Sequence, residues 1–194
     1  NQIDSNTVIN GTATGLGYGA FLVGGSGNTV SNNLVENNGG YGLYCGADTS
    51  QVTGNIARRN LTYGIFIGTG CGNWVYNNVA DSNGERNLWV ASDNNRIDSN
   101  TVVNGNMEGI YLFADSNAVT NNLVADNIGP GFYLLNADSN LITGNEVARN
   151  LGYGVNLAGG TANAFVDNMF DANPGYNVYV SSGADNHFDS NTFV

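Results

Sequence analysis

A chain of 194 residues with 41% hydrophobic residues is long enough for one domain with a continuous core. Only 11% of the residues are charged, and the 28 glycines, together with many asparagines, are typical of a β protein dense in turns. The net charge of −11 leaves no basic footprint for nucleic acid, and no run of 18 apolar residues predicts a membrane span.

The chain repeats every 22 or 23 residues after a longer first coil. Coils begin at Asn1, Asn28, Ser50, Asn73, Asn95, Asn117, Asn140, Asn163 and Asn186. Positions 3 and 8 of each coil are apolar, and a Gly-apolar-x-apolar segment follows later in the coil. This alternation predicts three short strands per coil, each with one buried face. Stacking then pairs the strands in parallel, so we predict an all-β fold, a right-handed parallel β-helix of about eight and a half coils.

Position 6 of the coil is always asparagine. The set is Asn6, Asn33, Asn55, Asn78, Asn100, Asn122, Asn145, Asn168 and Asn191. An amide carries both donors and an acceptor, and amides about 4.8 Å apart in neighbouring coils are within hydrogen-bonding reach. We therefore predict an inward asparagine ladder. Because asparagine tolerates a left-handed backbone, we also expect these residues to take that conformation at the bend between strands.

The repeated Asn-x-(Val/Ile)-x-x-Asn, followed by Gly-(Ile/Leu/Val)-x-(Leu/Val), resembles the right-handed parallel β-helix superfamily over the whole chain. That superfamily includes pectate-lyase-like, alginate-epimerase-like and periplasmic copper-processing proteins. The resemblance implies the fold and says little about activity.

The first residue begins a coil, and the last residue is position 9 of the ninth coil. Terminal repeats of solenoids normally differ from the others so that they cover the core. We therefore expect residues 1–194 to be a single β-helix domain that is either a fragment of a longer protein or an uncapped unit that associates end to end.

Position 17 of the coil lies between two inward apolar positions and should face solvent. It reads Phe21, Tyr44, Phe66, Trp89, Tyr111, Tyr133, Asn156 and Tyr179. Three residues earlier, a second row reads Tyr18, Tyr41, Tyr63, Tyr153 and Tyr176. These rings either stack on one another to stabilise the sheet, lie under a flanking segment of the chain or a partner protein, or form platforms for successive sugar rings. On the sugar interpretation the substrate-binding candidates are Tyr44, Phe66, Arg86, Trp89, Tyr111 and Tyr133.

The second row is interrupted where coils four and five carry Arg86 and Glu108, with Glu85 beside them. One interpretation is an exposed ion pair between neighbouring coils, which would contribute under about 1 kcal/mol. The other is the polar centre of a sugar cleft, in which Glu85 and Glu108 are the candidate catalytic groups.

Asp48, Asp93, Asp115 and Asp138 each lie two residues before the start of a coil. Such an aspartate caps a turn through its own backbone. Carboxylates stacked one coil apart also repel one another, so Asp93, Asp115 and Asp138 are the candidates for a Ca²⁺ site, the one cofactor that the sequence suggests.

The enzyme hypothesis lacks its usual groups. Alginate epimerases and related lyases carry Tyr-Gly-(Phe/Ile)-Asp-Pro-His, but the Tyr-Gly pairs here continue without Asp-Pro-His. Three aspartates in one register, Asp4, Asp98 and Asp189, are too far apart to act together, and the only histidine is His187. A copper cluster would need His, Met or Cys ligands together, whereas Met107 and Met169 are far apart and Cys45 and Cys71 are expected to be buried thiols.

The sequence therefore favours a non-catalytic scaffold or carbohydrate-binding module outside the cell or at its surface, with the periplasm as an alternative. Its expected partner is a polysaccharide or another copy stacked end to end. A polysaccharide lyase, epimerase or glycosidase with a site near Glu85, Arg86 and Glu108 is the second hypothesis, and an end-stacking fibre protein is the third.

Overall fold

The computed structural model describes residues 1–11 and 19–194, without the side chains of Phe21 and Val23. Within this part of the chain, 26 short strands form three parallel sheets of nine, nine and eight strands, wound as a right-handed β-helix. The predicted fold class is confirmed.

Strands are numbered in chain order, and each of the first eight coils contributes one strand to each sheet, while the ninth contributes one to the first sheet and one to the second. The first sheet contains β1 (Gln2–Asp4), β4 (Thr29–Ser31), β7 (Gln51–Thr53), β10 (Trp74–Tyr76), β13 (Arg96–Asp98), β16 (Ala118–Thr120), β19 (Leu141–Thr143), β22 (Ala164–Val166) and β25 (His187–Asp189).

The second sheet contains β2 (Thr7–Ile9), β5 (Leu34–Glu36), β8 (Ile56–Arg58), β11 (Val79–Asp81), β14 (Thr101–Val103), β17 (Leu123–Ala125), β20 (Glu146–Ala148), β23 (Met169–Asp171) and β26 (Thr192–Phe193). The third sheet contains β3 (Ala20–Ser26), β6 (Leu43–Asp48), β9 (Ile65–Ile67), β12 (Leu88–Val90), β15 (Ile110–Leu112), β18 (Phe132–Leu135), β21 (Val155–Thr161) and β24 (Val178–Ala184).

The repeat predicts the register between coils. Val75 at position 3 pairs with Val52 below and Ile97 above, and Ala80 at position 8 pairs with Ala57 and Val102. In the first two sheets the central residue of each three-residue strand faces inward, whereas in the third sheet the flanking residues do, as Ile65 and Ile67 show, and together these positions form one continuous core. Full burial of each Val, Ile or Leu side chain stabilises the fold by about 1.5–3 kcal/mol.

The left-handed residue at each bend is not the ladder asparagine, and that prediction was wrong. It is the residue immediately before it, as in Asn77 (φ 54°) before Asn78 and Ser99 (φ 55°) before Asn100. Arginine also occupies such a site at Arg59 (φ 52°). The reversed backbone at the preceding residue turns the chain so that the next side chain enters the interior, which leaves the asparagine free for hydrogen bonding.

The predicted asparagine ladder is confirmed. The backbone N–H and the Nδ2 of Asn55 both donate to Oδ1 of Asn78, each at 2.9 Å, and Asn78 donates in the same way to Asn100. Nδ2 of Asn55 also donates to the carbonyl of Val30, one coil back. Each buried amide therefore accepts two hydrogen bonds and donates at least two, which satisfies its polar atoms away from water.

Two further ladders occupy positions 1 and 11, and sequence reasoning missed both. The ladder at position 11, the third ladder, begins at Asn38 because coil one has Gly11, and it is interrupted where coil five has Gly105 in place of asparagine. Asn87 of coil four fills this gap: its Oδ1 accepts from Nδ2 of Asn83 at 2.7 Å, and its Nδ2 donates to Oδ1 of Asn127 at 2.9 Å. Asn87 stands where neighbouring coils have glycine, so the two residues have exchanged places.

Both cysteines are free thiols. Cys45 is buried as expected, and burial raises the pKa of its thiol. Cys71 is exposed in a turn, so the expectation of a buried thiol was wrong for it. The described residues include no helix of the length and apolar character that a membrane crossing requires.

Candidate functional site

The aromatic row of position 17 lies in register on the outer face of the third sheet. Phe66 pairs with Tyr44 on one side and Trp89 on the other, and Tyr111 follows Trp89 and pairs with Tyr133. The backbone of Phe21 continues the register, but its side chain is not described, and Tyr18 of the second row lies outside the described residues.

The rings of this row contact one another from coil to coil. Phe66 and Trp89 stack at 4.2 Å with planes 10° apart, whereas Tyr44 meets Phe66 edge-on at 5.2 Å and Tyr111 meets Trp89 edge-on at 5.9 Å. Each such contact contributes about 0.5–1.5 kcal/mol beyond area burial. The rings therefore stabilise the sheet whether or not a ligand is present.

The second row joins the first. Tyr41 stacks on Tyr63 at 4.8 Å, and Tyr63 meets Trp89 edge-on at 4.9 Å. We call the combined set the aromatic surface. It consists of Tyr41, Tyr44, Tyr63, Phe66, Trp89, Tyr111 and Tyr133. Three more tyrosines, Tyr153, Tyr176 and Tyr179, stack on one another in coils seven and eight as a separate group.

An ion pair lies within the aromatic surface. Nε of Arg86 is 3.2 Å from Oε2 of Glu108, and the guanidinium carbon lies 4.2 Å from the ring centre of Tyr111, 5.3 Å from that of Trp89 and 5.7 Å from that of Tyr63. The side chains of Arg86 and Glu108 are only 19% and 12% exposed. The pair exists between neighbouring coils as predicted, but it is mostly covered rather than exposed, because three rings surround it.

Tyr111 is a second departure from expectation. It was predicted to face solvent, yet it is only 7% exposed. Arg86 lies over its ring, and Trp89 and Tyr133 contact it from the neighbouring coils. Tyr111 therefore supports Arg86 and offers little ring surface of its own.

Three polar atoms at the centre of the aromatic surface have no hydrogen-bond partner within the described part of the chain. They are Nε of Arg86, Oε2 of Glu108 and Nε1 of Trp89. The arginine and glutamate atoms are close enough to attract each other, but they lack the alignment of a hydrogen bond. Arg86 and Glu108 are therefore held together by charge, and the Trp89 indole N–H is the polar atom of this cluster that neither a hydrogen bond nor an ion pair engages among the described residues.

Glu85 lies beside the same cluster and hydrogen-bonds to the Tyr63 hydroxyl. Burial raises the pKa of Tyr63, and the Glu85 charge raises it further. Burial also raises the pKa of Tyr111, against the opposing charge of Arg86. Both phenols are therefore neutral at neutral pH and act as hydrogen-bond donors, while Glu85 and Glu108 remain candidate catalytic groups.

The stacked aspartates bond across coils. Oδ1 of Asp93 accepts the backbone N–H of Asp115 at 2.8 Å, and Oδ1 of Asp115 accepts that of Asp138 at 2.7 Å. The expected cap on the turn's own backbone is replaced by a bond to the next coil. Among the described residues, no group of three or more His, Cys, Asp or Glu side chains is placed to hold a metal ion, and calcium binding at Asp93, Asp115 and Asp138 stays a prediction.

A second cluster on the outer face of the first sheet was missed by sequence reasoning. Trp74 stacks on Tyr76 at 4.1 Å, and the Arg96 guanidinium lies 5.2 Å from the Trp74 ring centre. Arg96 also donates to Asp98 at 3.0 Å. Burial alone would raise the pKa of Asp98, but hydrogen bonds from Thr120 and Asn121, together with the Arg96 charge, hold it below the ordinary value.

The fold and its outer faces define a class: a right-handed parallel β-helix whose inner wall is uniform and whose outer wall carries polar and aromatic clusters. A family model described as "Periplasmic copper-binding protein (NosD)" matches residues 1–194. The chain belongs to the NosD family. No curated protein shows significant sequence similarity to it.

Solved structures share the fold. The Azotobacter vinelandii mannuronan C-5 epimerase AlgE6 A-module is 15% identical with a TM-score of 0.72, covering 87% of this chain and 58% of its own. The periplasmic alginate epimerase AlgG is 19% identical with a TM-score of 0.70, covering 85% and 51%. The Dettilon tailspike protein is 14% identical with a TM-score of 0.76, covering 100% and 54%. This chain thus spans little more than half the length of these structures.

The copper named in the family description does not fit the described residues. Cu prefers clustered His, Cys or Met ligands. Cys45 lies in the core and Cys71 is exposed, while His187, Met107 and Met169 lie in three different coils. With no described group of metal-ligating side chains, we assign no chemistry of this chain to copper.

Proposed function

We propose that this chain is a non-catalytic β-helical scaffold that binds a polysaccharide along the aromatic surface. The observation that carries the proposal is the row of aromatic rings in register on five successive coils, with the Arg86–Glu108 ion pair at its centre. Sugars present both apolar ring faces and hydroxyl groups, and each hydroxyl donates and accepts hydrogen bonds. Aromatic side chains with a few convergent polar groups suit such a ligand.

The geometry of the repeat supports a long ligand over a single sugar. The aromatic surface presents residues from five successive coils, spaced about 4.8 Å apart along the axis. A polysaccharide lying along the solenoid would meet a new side chain at each coil. Weak contacts at several coils then add up in one extended molecule.

The proposed location is the periplasm or the cell exterior. Two similarities support it: the family is described as periplasmic, and AlgG is a periplasmic alginate epimerase. The similarity to mannuronan and alginate epimerases also supports a polysaccharide as the ligand class.

An enzyme acting on the same ligand is the second candidate. The observation favouring it is Oε2 of Glu108, a mostly covered carboxylate oxygen without a hydrogen-bond partner. General base catalysis needs a carboxylate of this kind within reach of the substrate. Against it, the guanidinium of Arg86 is already paired with this carboxylate.

The test is a polysaccharide binding screen by affinity electrophoresis, with Trp89→Ala as the main variant and Tyr176→Ala, an exposed ring outside the aromatic surface, as the matched control. We expect Trp89→Ala to weaken binding at least tenfold and Tyr176→Ala to leave it unchanged. Trp89→Phe, which keeps the stacking on Phe66, checks that the loss is not caused by unfolding. Equal binding by wild type and Trp89→Ala would contradict the proposal.

The same incubations distinguish scaffold from enzyme. Analysis of the sugars for shortened, epimerised or unsaturated products should show none. Products that disappear in Glu108→Gln would favour the enzyme. End-to-end association and the single-domain boundary stay predictions, and sedimentation velocity over a concentration series tests the former.

A further inference from the structure

A groove of about 410 Å³ lies on the outer side of the first sheet, across coils four to six. Its lining includes Asn73, Trp74, Arg96, Ser116 and Ala118, and it includes no residue of the aromatic surface. No aspartate or glutamate lines it, although the chain as a whole carries a charge of −11. The groove is therefore a local exception to an acidic molecule.

Two buried donors in this lining have no hydrogen-bond partner within the described residues. Asn73 is 1% exposed, and neither its Nδ2 nor the Nε1 of Trp74 is hydrogen-bonded. The cause is a local change in the asparagine ladder at position 1 of the coil. Oδ1 of Asn95 still accepts the backbone N–H of Asn73, but the Asn95 amide nitrogen turns to Ser92. Unpartnered buried donors are costly unless an acceptor reaches them.

Arg96 adds a positive charge beside these donors. Its guanidinium has five N–H groups, and the structure gives it one hydrogen bond, to Asp98. The side chain is 56% exposed and lies over Trp74, so the remaining N–H groups are accessible. The Asn73 amide lies in the inward ladder at position 1, where its Oδ1 accepts the backbone N–H of Ser50. The donors on the outer face are therefore the Trp74 indole N–H and the Arg96 guanidinium, a set that matches an oxyanion.

We propose that this groove is a binding site for an oxyanion, held by Arg96 and Trp74. The shared chemistry is that of a carboxylate on an acidic sugar or of free inorganic phosphate. The site is independent of the proposed glycan contact, because it uses a different sheet and different residues.

The experiment follows the indole N–H resonance of Trp74 in ¹H–¹⁵N spectra. The chain has two tryptophans, and Trp89→Phe identifies which resonance belongs to Trp74. Glucuronate, glucose and inorganic phosphate are each titrated at constant ionic strength and neutral pH. We expect a saturable movement of the Trp74 resonance with glucuronate and none with glucose. Arg96→Gln should abolish the movement.

Arg149→Gln is the matched control, because Arg149 is another surface arginine paired with a carboxylate, that of Asp126. It removes the same charge and should leave the movement intact. If Arg96→Gln fails to fold, Ala118→Leu replaces it. Leucine already stands at the paired position in the next coil, Leu141, and the added atoms would fill the groove.

Each outcome of these titrations either supports or overturns the proposed oxyanion site. Movement with glucuronate alone assigns the site to acidic sugars, and movement with both anions assigns it to free oxyanions. No saturable movement with either anion, equal movement with glucose, or equal loss in Arg149→Gln and Arg96→Gln would overturn the proposal.

Discussion

The inner and outer walls of this β-helix follow different rules. Inside, position 6 is asparagine in every coil, and each residue repeats the hydrogen bonds of the one before. Outside, the departures cluster in coils four and five, which hold the Arg86–Glu108 pair and the Trp74–Arg96 group. The Asn87–Gly105 exchange lies in the same two coils. Uniform positions therefore maintain the fold, and the departures mark where specific surfaces are built.

The largest expected loss of stability comes from a change in the inward asparagine ladder at position 6. Asn100→Ala removes an oxygen that accepts two hydrogen bonds from Asn78 and a nitrogen that donates to Val75 and Asn122. Leaving several buried groups unpaired should lower the free energy of unfolding by about 3 kcal/mol or more. Chemical denaturation measures this change in the free energy of unfolding. Asn106→Ala, at an exposed site in the same coil, is the control and should stay within about 0.5 kcal/mol of wild type.

The second prediction concerns the exchange of Asn87 and Gly105. A Cβ at residue 105 would lie 2.6 Å from Nδ2 of Asn87 and 3.0 Å from Oδ1 of Asn127. Gly105→Asn should therefore destabilise the fold by about 1–3 kcal/mol through overpacking. Asn87→Gly should cost a similar amount, because Asn83 and Asn127 lose their partner.

The double variant Asn87→Gly with Gly105→Asn restores the ordinary pattern of the ladder. It should be more stable than either single variant, with a coupling of about 1 kcal/mol or more in a double-mutant cycle. If the loss of stability in the double variant equals the sum of the losses in the two single variants, then an asparagine at residue 87 and one at residue 105 do not occupy the same place in the ladder at position 11.

A third comparison sets a covered ion pair against an exposed one. Arg86→Gln removes the charge over Tyr111 and leaves Glu108 mostly covered without its partner, so it should cost about 1–3 kcal/mol. Arg149→Gln breaks an exposed pair with Asp126 and should cost under about 1 kcal/mol. Thermal unfolding of both variants, at two salt concentrations, ranks them. Equal losses would mean that the aromatic surface does not shield its ion pair.

The smallest effect is pH-dependent. The pKa of Asp98 is lower in the folded state than in the unfolded chain, where it is about 3.9. Its ionised form therefore stabilises the fold above about pH 4, and this contribution disappears as the pH falls through the folded-state pKa. Wild type should exceed Asp98→Asn in stability at neutral pH, and the gap should narrow below about pH 4. A gap that does not change with pH would contradict the assignment.

The single period explains why the fold was predictable. Position 3 and position 6 recur without exception, so they define the register of neighbouring coils before any coordinates are known. The other two ladders were overlooked because each contains exceptions, Ser50 at position 1 and Gly11 and Gly105 at position 11. The left-handed bend was placed one residue late, because asparagine's tolerance of that conformation was credited to the ladder residue itself.

The candidate site was harder to predict, for a physical reason. Register alone brings Arg86, Glu108 and Trp89 into neighbouring coils, but the degree of burial depends on side-chain conformations that the repeat does not specify. The Trp74–Arg96 group was missed because its aromatic side chains, unlike those of position 17, do not recur from coil to coil. Its signal was present at positions 2 and 4 of coils four and five.

The place of Asn87 in the third ladder also bears on how such a solenoid gains or loses repeats. Its side chain belongs to coil four in sequence but occupies the space that coil five leaves open. Duplicating or deleting either coil alone would put two asparagines in one space or leave none. Coils four and five therefore form one unit of rearrangement, and repeat swaps between relatives should be cut on either side of the two coils, never between them.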